Sequence, residues 1–132
     1  MRISFSMLFG LAVVAGLSVP TAAFADGDAA KGAKIFKKCA ACHTATEAKN
    51  KIGPHLDNVI DRPIASIEDF KYSKAMTEHA EETPTWTVEA LTEFLHKPTK
   101  VVKGTKMSFA GLKKDKDIED ILAYLKDPSA AE

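Results

Sequence analysis

Apolar positions along this chain recur with helical spacing rather than with the two-residue period of a strand. Ala29, Ala33, Phe36 and Ala40 fall near one face of a first helix, which Asp28 can cap and which is expected to run directly into Cys39. Gly32 on that helix leaves room for another backbone to approach. Ile118, Ile121, Leu122 and Leu125 repeat as i, i+3, i+4, i+7 and predict a last helix. Asp115 can cap it, Asp117 and Glu119 suit its positive N-terminal end, and Pro128 closes it. Between the two, the pattern predicts a short helix over Ser66 to Ser73. A second runs from Thr87 through Leu91, Phe94 and Leu95 to His96, ahead of Pro98. Asn50 to Arg62 and Pro98 to Lys114 have no clear period and read as loops. No internal repeat or low-complexity segment breaks the chain, so the reading is one small all-α domain of three to five helices with long loops.

The first 25 residues stand apart from this pattern. Met1-Arg2 is followed by a stretch without charge from Ile3 to Ala25, with an apolar run from Leu8 to Leu17. That is the layout of a secretory signal peptide, and Ala23-Phe24-Ala25 supplies the small residues read at a cleavage site. A stable membrane anchor needs about 20 strongly apolar residues in sequence. This run is shorter and is interrupted by Gly10, Gly16, Ser18 and Pro20. The expected domains are therefore a cleaved leader over 1–25 and a mature domain over 26–132, exported to the periplasm. A chain of that size buries only a moderate share of its surface, and its core would benefit from an additional component.

The formal net charge is zero, which argues against a nucleic-acid binder and against a general attraction to membranes. Its distribution is lopsided. Six lysines stand against Glu47 between Ala30 and Lys51, and seven against Asp115 between Lys97 and Lys116. Between Asp57 and Glu93, nine acids face Arg62, Lys71 and Lys74.

The chemistry lies in Cys39-Ala40-Ala41-Cys42-His43. Two thiols three residues apart at a helix end can form thioethers with the two vinyl groups of one haem, while His43 reaches the iron. A disulfide oxidoreductase would place such a pair beside a βαβ unit, which this chain lacks. A zinc site would need further ligands, and only two cysteines exist, with His55, His79 and His96 scattered. A structural disulfide leaves His43 unexplained. A haem would also complete a small core, coupling folding to cofactor attachment. For a second axial ligand, Met107 is the leading residue. Gly104 and Gly111 flank it in an irregular loop that can bring its soft thioether to a flat ring. Met76 reads as core filling, His96 as a partner of a negative helix end, and His79, among Glu78, Glu81 and Glu82, as solvated.

Gly32-x-x-x-Phe36, the cysteine pair with His43, Gly53-Pro54, Arg62, Tyr72, Trp86, Gly104-Thr105-Lys106-Met107 and Ala123-Tyr124-Leu125 occur in a familiar order. Over residues 28 to 126 the chain closely resembles the class I cytochromes c, the mitochondrial type and its soluble α-proteobacterial counterparts being the nearest branches. The resemblance implies a cytochrome c fold wrapped around one haem held by Cys39 and Cys42, with His43 and Met107 on the iron. It implies that the Pro54 carbonyl receives the free ring N–H of His43. It also implies that Tyr72 and Trp86 bond a buried haem propionate, that Arg62 compensates propionate charge, and that Thr105 lies beside a propionate. Gly32 and Phe36 would cross the last helix near Ile121 and Tyr124. Two departures stand out: Met76 replaces a pocket Asn of the mitochondrial relatives, and Phe94 replaces a Tyr that in many relatives donates to the methionine sulfur. Both bear on the potential.

The implied function is one-electron transfer without an open site for substrate. Around the haem edge the resemblance places Lys38, Lys100, Lys106, Lys113 and Lys114, a ring suited to acidic surfaces of membrane redox complexes. A cytochrome bc-type donor is implied. The acceptor is a terminal oxidase, a photosynthetic reaction centre or a periplasmic reductase or dehydrogenase, met by a monomer without a membrane anchor. The other readings are a small haem enzyme or gas sensor, should Met107 not ligate, and a structural module of a larger complex. The exported protein is expected to have the mass of a chain starting at Asp26 plus one haem. Intact mass under denaturing conditions checks this, and haem that extracts into acidic organic solvent would refute it.

Overall fold

A computed structural model describes residues 27–131. The signal peptide expected over 1–25 and the cleavage point before Asp26 lie outside the described residues. Within them the chain forms five α-helices: α1 (Ala29–Phe36), α2 (Lys74–Glu82), α3 (Val88–His96), α4 (Pro98–Val101) and α5 (Asp115–Lys126), then a 3₁₀ turn at Pro128–Ala131. Extended structure among the described residues is limited to an isolated antiparallel bridge between Pro63 and Thr85.

Side-chain caps start the first three helices. Asp28 accepts from the Lys31 N–H, Ser73 from Met76 and Thr87 from Ala90, each satisfying a backbone donor the helix leaves unpaired. Pro98 at the first position of α4 needs no N–H partner there. The stretch from Asn50 to Arg62 is a loop, and left-handed backbone at Asn58 and Asp61 breaks any regular repeat within it.

Several elements differ from the sequence reading. α1 stops at Phe36, after which bonds such as Lys38 N–H to the Ile35 carbonyl, 3.0 Å, tighten the chain into turns. Ser66 to Ser73 is turn and coil, and the helix begins where that segment was expected to end, because Ser73 is its cap. α2 carries no buried residue, so it has little apolar period to read. The Pro98 to Lys114 segment contains the single turn of α4. Lys114, not Asp115, is the N-terminal flanking residue of α5, and it makes no side-chain cap. Asp115 is instead the first helical residue and faces the Nε2 of His96 at 3.1 Å.

The core forms where α1 crosses α5. A Cβ added at Gly32 would lie 2.0 Å from the Asp120 carbonyl oxygen and 2.7 Å from the Tyr124 Cβ, so only glycine lets the helices meet this closely. One turn on, the rings of Phe36 and Tyr124 pack with centroids 5.3 Å apart. Ile118, Ile121, Leu122 and Leu125 are buried along α5, as their spacing predicts. Leu91, Phe94 and Leu95 of α3 and Trp86 belong to the same core.

Asp120 is a buried carboxylate at this crossing, 2 % exposed. It accepts from the Asp28 N–H at 2.7 Å and from the Lys116 ammonium at 2.5 Å. Burial pushes its carboxyl up, but these two donors outweigh burial and hold it below the ordinary carboxylate range. A carboxyl depressed in the folded state stabilises fully above its unfolded value of about 3.9, and that contribution is lost as pH falls through the lower folded value. Asp120→Asn is therefore expected to cost about 2 kcal/mol at pH 7. The gap to the wild type should close toward pH 3, as followed by denaturant titration at the two pH values.

Candidate haem-binding site

The turns that follow α1 carry the cysteine pair. The Cys39 N–H bonds the Phe36 carbonyl at 2.7 Å and the His43 N–H bonds the Cys39 carbonyl at 2.9 Å. This winding brings Cys39, Cys42 and His43 to one cleft, with both thiols free of any disulfide. Burial pushes the Cys39 thiol up, so it rests protonated.

The loop over Asn50 to Leu56 folds back on this turn. Gly53 N–H bonds the Cys42 carbonyl at 2.8 Å, Leu56 N–H bonds the Thr44 carbonyl at 2.7 Å, and the Lys51 ammonium reaches the Ala40 carbonyl. Gly53 lies flat against the imidazole: an added Cβ would stand 2.4 Å from the His43 Cε1. The next carbonyl, that of Pro54, accepts from His43 Nδ1 at 2.6 Å. With the proton fixed on Nδ1, Nε2 keeps its lone pair. Burial lowers the affinity of His43 for a second proton, against the pull of the Pro54 bond, and the Lys51 charge lowers it further. The ring is thus a neutral, oriented nitrogen donor.

The cleft holds about 350 Å³. Phe36, Ile121 and Leu125 form one wall, and Trp86, Leu91, Phe94 and Leu95 another. The methionine loop lines the side that carries Met107, together with Thr105, Phe109 and the half-buried Met76. Gly104 and Gly111 both take positive φ, 88° and 99°. A Cβ at Gly111 would also strike the His96 carbonyl oxygen at 2.0 Å. Thr105 Oγ1 accepts from the Met107 N–H at 3.2 Å, and the Leu112 N–H bonds the Leu95 carbonyl at 2.8 Å, pinning the loop to α3. His96 secures the same corner by donating from Nδ1 to the Leu112 carbonyl at 3.1 Å while facing Asp115, a larger role than that of a side chain at a helix end.

Arg62, Tyr72 and Trp86 meet on another part of the wall. The Arg62 guanidinium donates to the carbonyls of Asp57 and His55, both at 3.0 Å, and its backbone carbonyl accepts from the Trp86 N–H at 2.9 Å. The Tyr72 hydroxyl accepts from the Ile67 N–H at 3.3 Å and keeps its own proton to donate. Burial pushes that hydroxyl up, further from ionisation. His79, expected to be solvated, is half-buried with its ring 6.2 Å from that of Trp86.

Two thiols, an oriented imidazole nitrogen and a thioether thus converge on an apolar cleft with a cation and phenolic and indole donors on its wall. This donor set fits a covalently attached haem. The family model for cytochrome c matches residues 29–128. The chain belongs to the cytochrome c family. Cytochrome c-550 of Ancylobacter novellus is 48% identical over 98 residues, covering 74% of this chain and 92% of that protein. Cytochrome c2 of Afifella marina is 47% identical over 98 residues, covering 74% and 79%. The solved structure of cytochrome cH from Methylobacterium extorquens aligns with a TM-score of 0.69 at 39% identity, over 76% of this chain and 98% of that one.

The cytochrome thus takes haem c, and Cys39 and Cys42 have the spacing of its attachment motif. It is an electron-transfer protein and not an enzyme, as the cytochromes c2 and c-550 are. Among the described residues no helix is long and apolar enough to cross a membrane.

The lysines divide. Lys38 and Lys106 line the cleft, whereas Lys100, Lys113 and Lys114 are exposed but do not. The sequence reading missed Lys71 and Ile52, which do line it. Lys71 stands in an acidic stretch next to Tyr72, and Ile52 precedes Gly53-Pro54, so adjacency to those residues was the available signal.

Gly53→Ala is expected to cost about 1–3 kcal/mol, because the methyl group must displace the His43 ring or the loop that holds it. Thermal unfolding of the haem-loaded cytochrome measures that cost, and a shifted Soret band would report the tilted ring.

Proposed function

We propose that this cytochrome is an exported one-electron carrier whose haem iron is held between His43 and Met107. The observation that carries the proposal is the convergence, in one cleft, of an imidazole oriented by Pro54 and a thioether on a glycine-flanked loop. The haem supplies a single reversible change of oxidation state. The chain's residues set how easily that change occurs and with whom. His43, strengthened as a donor by its bond to Pro54, supports the oxidised state, and the soft sulfur of Met107 favours the reduced one. With His43 and Met107 both holding the haem iron, no position would be left for a substrate.

Arg62, Tyr72, Trp86 and Thr105 are proposed to hold the propionates. The fixed guanidinium offers the compensating charge, and the phenol proton, indole N–H and threonine hydroxyl offer bonds to carboxylate oxygens. Export to the periplasm is proposed from the leader pattern over residues 1–25. The proposed partners are acidic surfaces of membrane redox complexes, a cytochrome bc-type donor on one side and an oxidase, reaction centre or periplasmic enzyme on the other. Weak, fast complexes suit a shuttle, and such interfaces stay below about 1,200 Å².

Met107→Ala is expected to abolish the weak near-infrared sulfur-to-iron band of the oxidised protein, lower the reduction potential and admit carbon monoxide to the reduced form. Met76→Leu should keep the band and the closed iron. Loss of the band in Met76→Leu alone would transfer the ligand role to Met76. An unchanged spectrum in both variants would exclude methionine.

A further inference from the structure

Ile52 is 80 % exposed, the exposed large hydrophobic residue among those described. It stands at the mouth of the cleft, whose lining also includes Lys38, Lys71 and Lys106, and none of these three is ion-paired among the described residues. Its backbone is held on both sides. The Lys51 N–H bonds the Gly53 carbonyl across it at 2.9 Å, the Lys51 side chain is tied to the Ala40 carbonyl, and Gly53 is tied to Cys42. An apolar side chain on a backbone held in this way, at a mouth that lysines also line, loses little freedom on being covered. In a small interface, one such residue can carry a large share of the contact energy.

We propose that Ile52 is the apolar anchor of the electron-transfer interface, and that the surface it fits is a redox protein with an apolar seat ringed by carboxylates. This rests on the carrier function proposed above and adds a division of labour. Lys38, Lys71 and Lys106 govern encounter, which salt screens, while Ile52 governs how long the complex lasts, which salt does not. Lys74, already paired with Glu78 at 3.2 Å, contributes to neither.

The test measures reduction of the mature haem-loaded cytochrome by a purified cytochrome bc-type complex across ionic strengths, with hexacyanoferrate as a small anionic probe. Ile52→Ser should raise the apparent KM for the complex about tenfold with an unchanged salt slope, and should change hexacyanoferrate kinetics far less. Ile52→Leu should restore the KM. Lys38→Glu should flatten the salt slope with both probes, and Lys74→Glu with neither. An unchanged KM in Ile52→Ser, with a normal salt slope in the wild type, overturns the anchor and leaves the carrier function standing. Equal slowing with hexacyanoferrate overturns it by tracing the effect to the haem cleft that Ile52 also lines rather than to the partner contact. A change in oligomeric state would assign it to a second copy of the chain. A wild type that exchanges electrons with hexacyanoferrate but not with the complex refutes the bc-type donor and the anchor with it.

Discussion

The close crossing of α1 and α5 is the constraint on which the remaining structure depends. Gly32 permits it, the Phe36–Tyr124 pair fills it, and the buried Asp120 closes it with a bond to the chain just ahead of α1. Because α1 leads directly into the cysteine turn, the position of α1 sets the position of Cys39, Cys42 and His43. Because Ile121 and Leu125 of α5 line the cleft beside Phe36, the same crossing supplies one of its walls. A shift of α1 against α5 would therefore move the attachment points relative to the wall they face.

The rest of the core is arranged around the cleft rather than packed solid. Phe36, Trp86, Leu91, Phe94, Leu95, Ile121 and Leu125 belong to the buried cluster and also face the cleft. Interiors of proteins are close-packed, and a lining without partner atoms forfeits dispersion contacts and apolar burial. A covalently held macrocycle resolves this for a small chain, supplying the apolar mass that short helices cannot supply to one another. Cofactor attachment and folding are then expected to be coupled, as with structural metals. This accounts for α2, which buries no residue of its own yet begins at Ser73, next to Tyr72 and just ahead of Met76 on the cleft wall.

Rigidity around the proposed iron ligands suits electron transfer, in which little should move. The Pro54 carbonyl and Gly53 hold His43 from behind, and two positive-φ glycines with bonds to α3 hold the Met107 loop. Met76 and Phe94 both line this cleft, so the two positions at which the chain departs from the mitochondrial resemblance lie where the surroundings of the ligands tune the potential.

Some of this was legible in the sequence because it is local. The spacing of Cys39, Cys42 and His43 is local, and with only two cysteines and no strand pattern beside them it points to haem attachment. α3 and α5 were legible because each buries one face, so burial is written as a 3.6-residue period. α2 was displaced in that reading because its inward residues Ala75, Met76 and Ala80 are only partly buried and write a weak period, and the capping contact of Ser73 marks its start. α1 ended early because the bonds after it tighten to Lys38 with Ile35 and Cys39 with Phe36, a change that the apolar spacing does not record. Tertiary structure alone decided that Lys71 and Ile52 stand at the mouth of the cleft, that His96 braces the methionine loop, and that Lys100, Lys113 and Lys114 do not line it. Exposure and convergence depend on how distant segments fold over one another, which adjacency to Tyr72 or to Gly53-Pro54 hints at but does not determine.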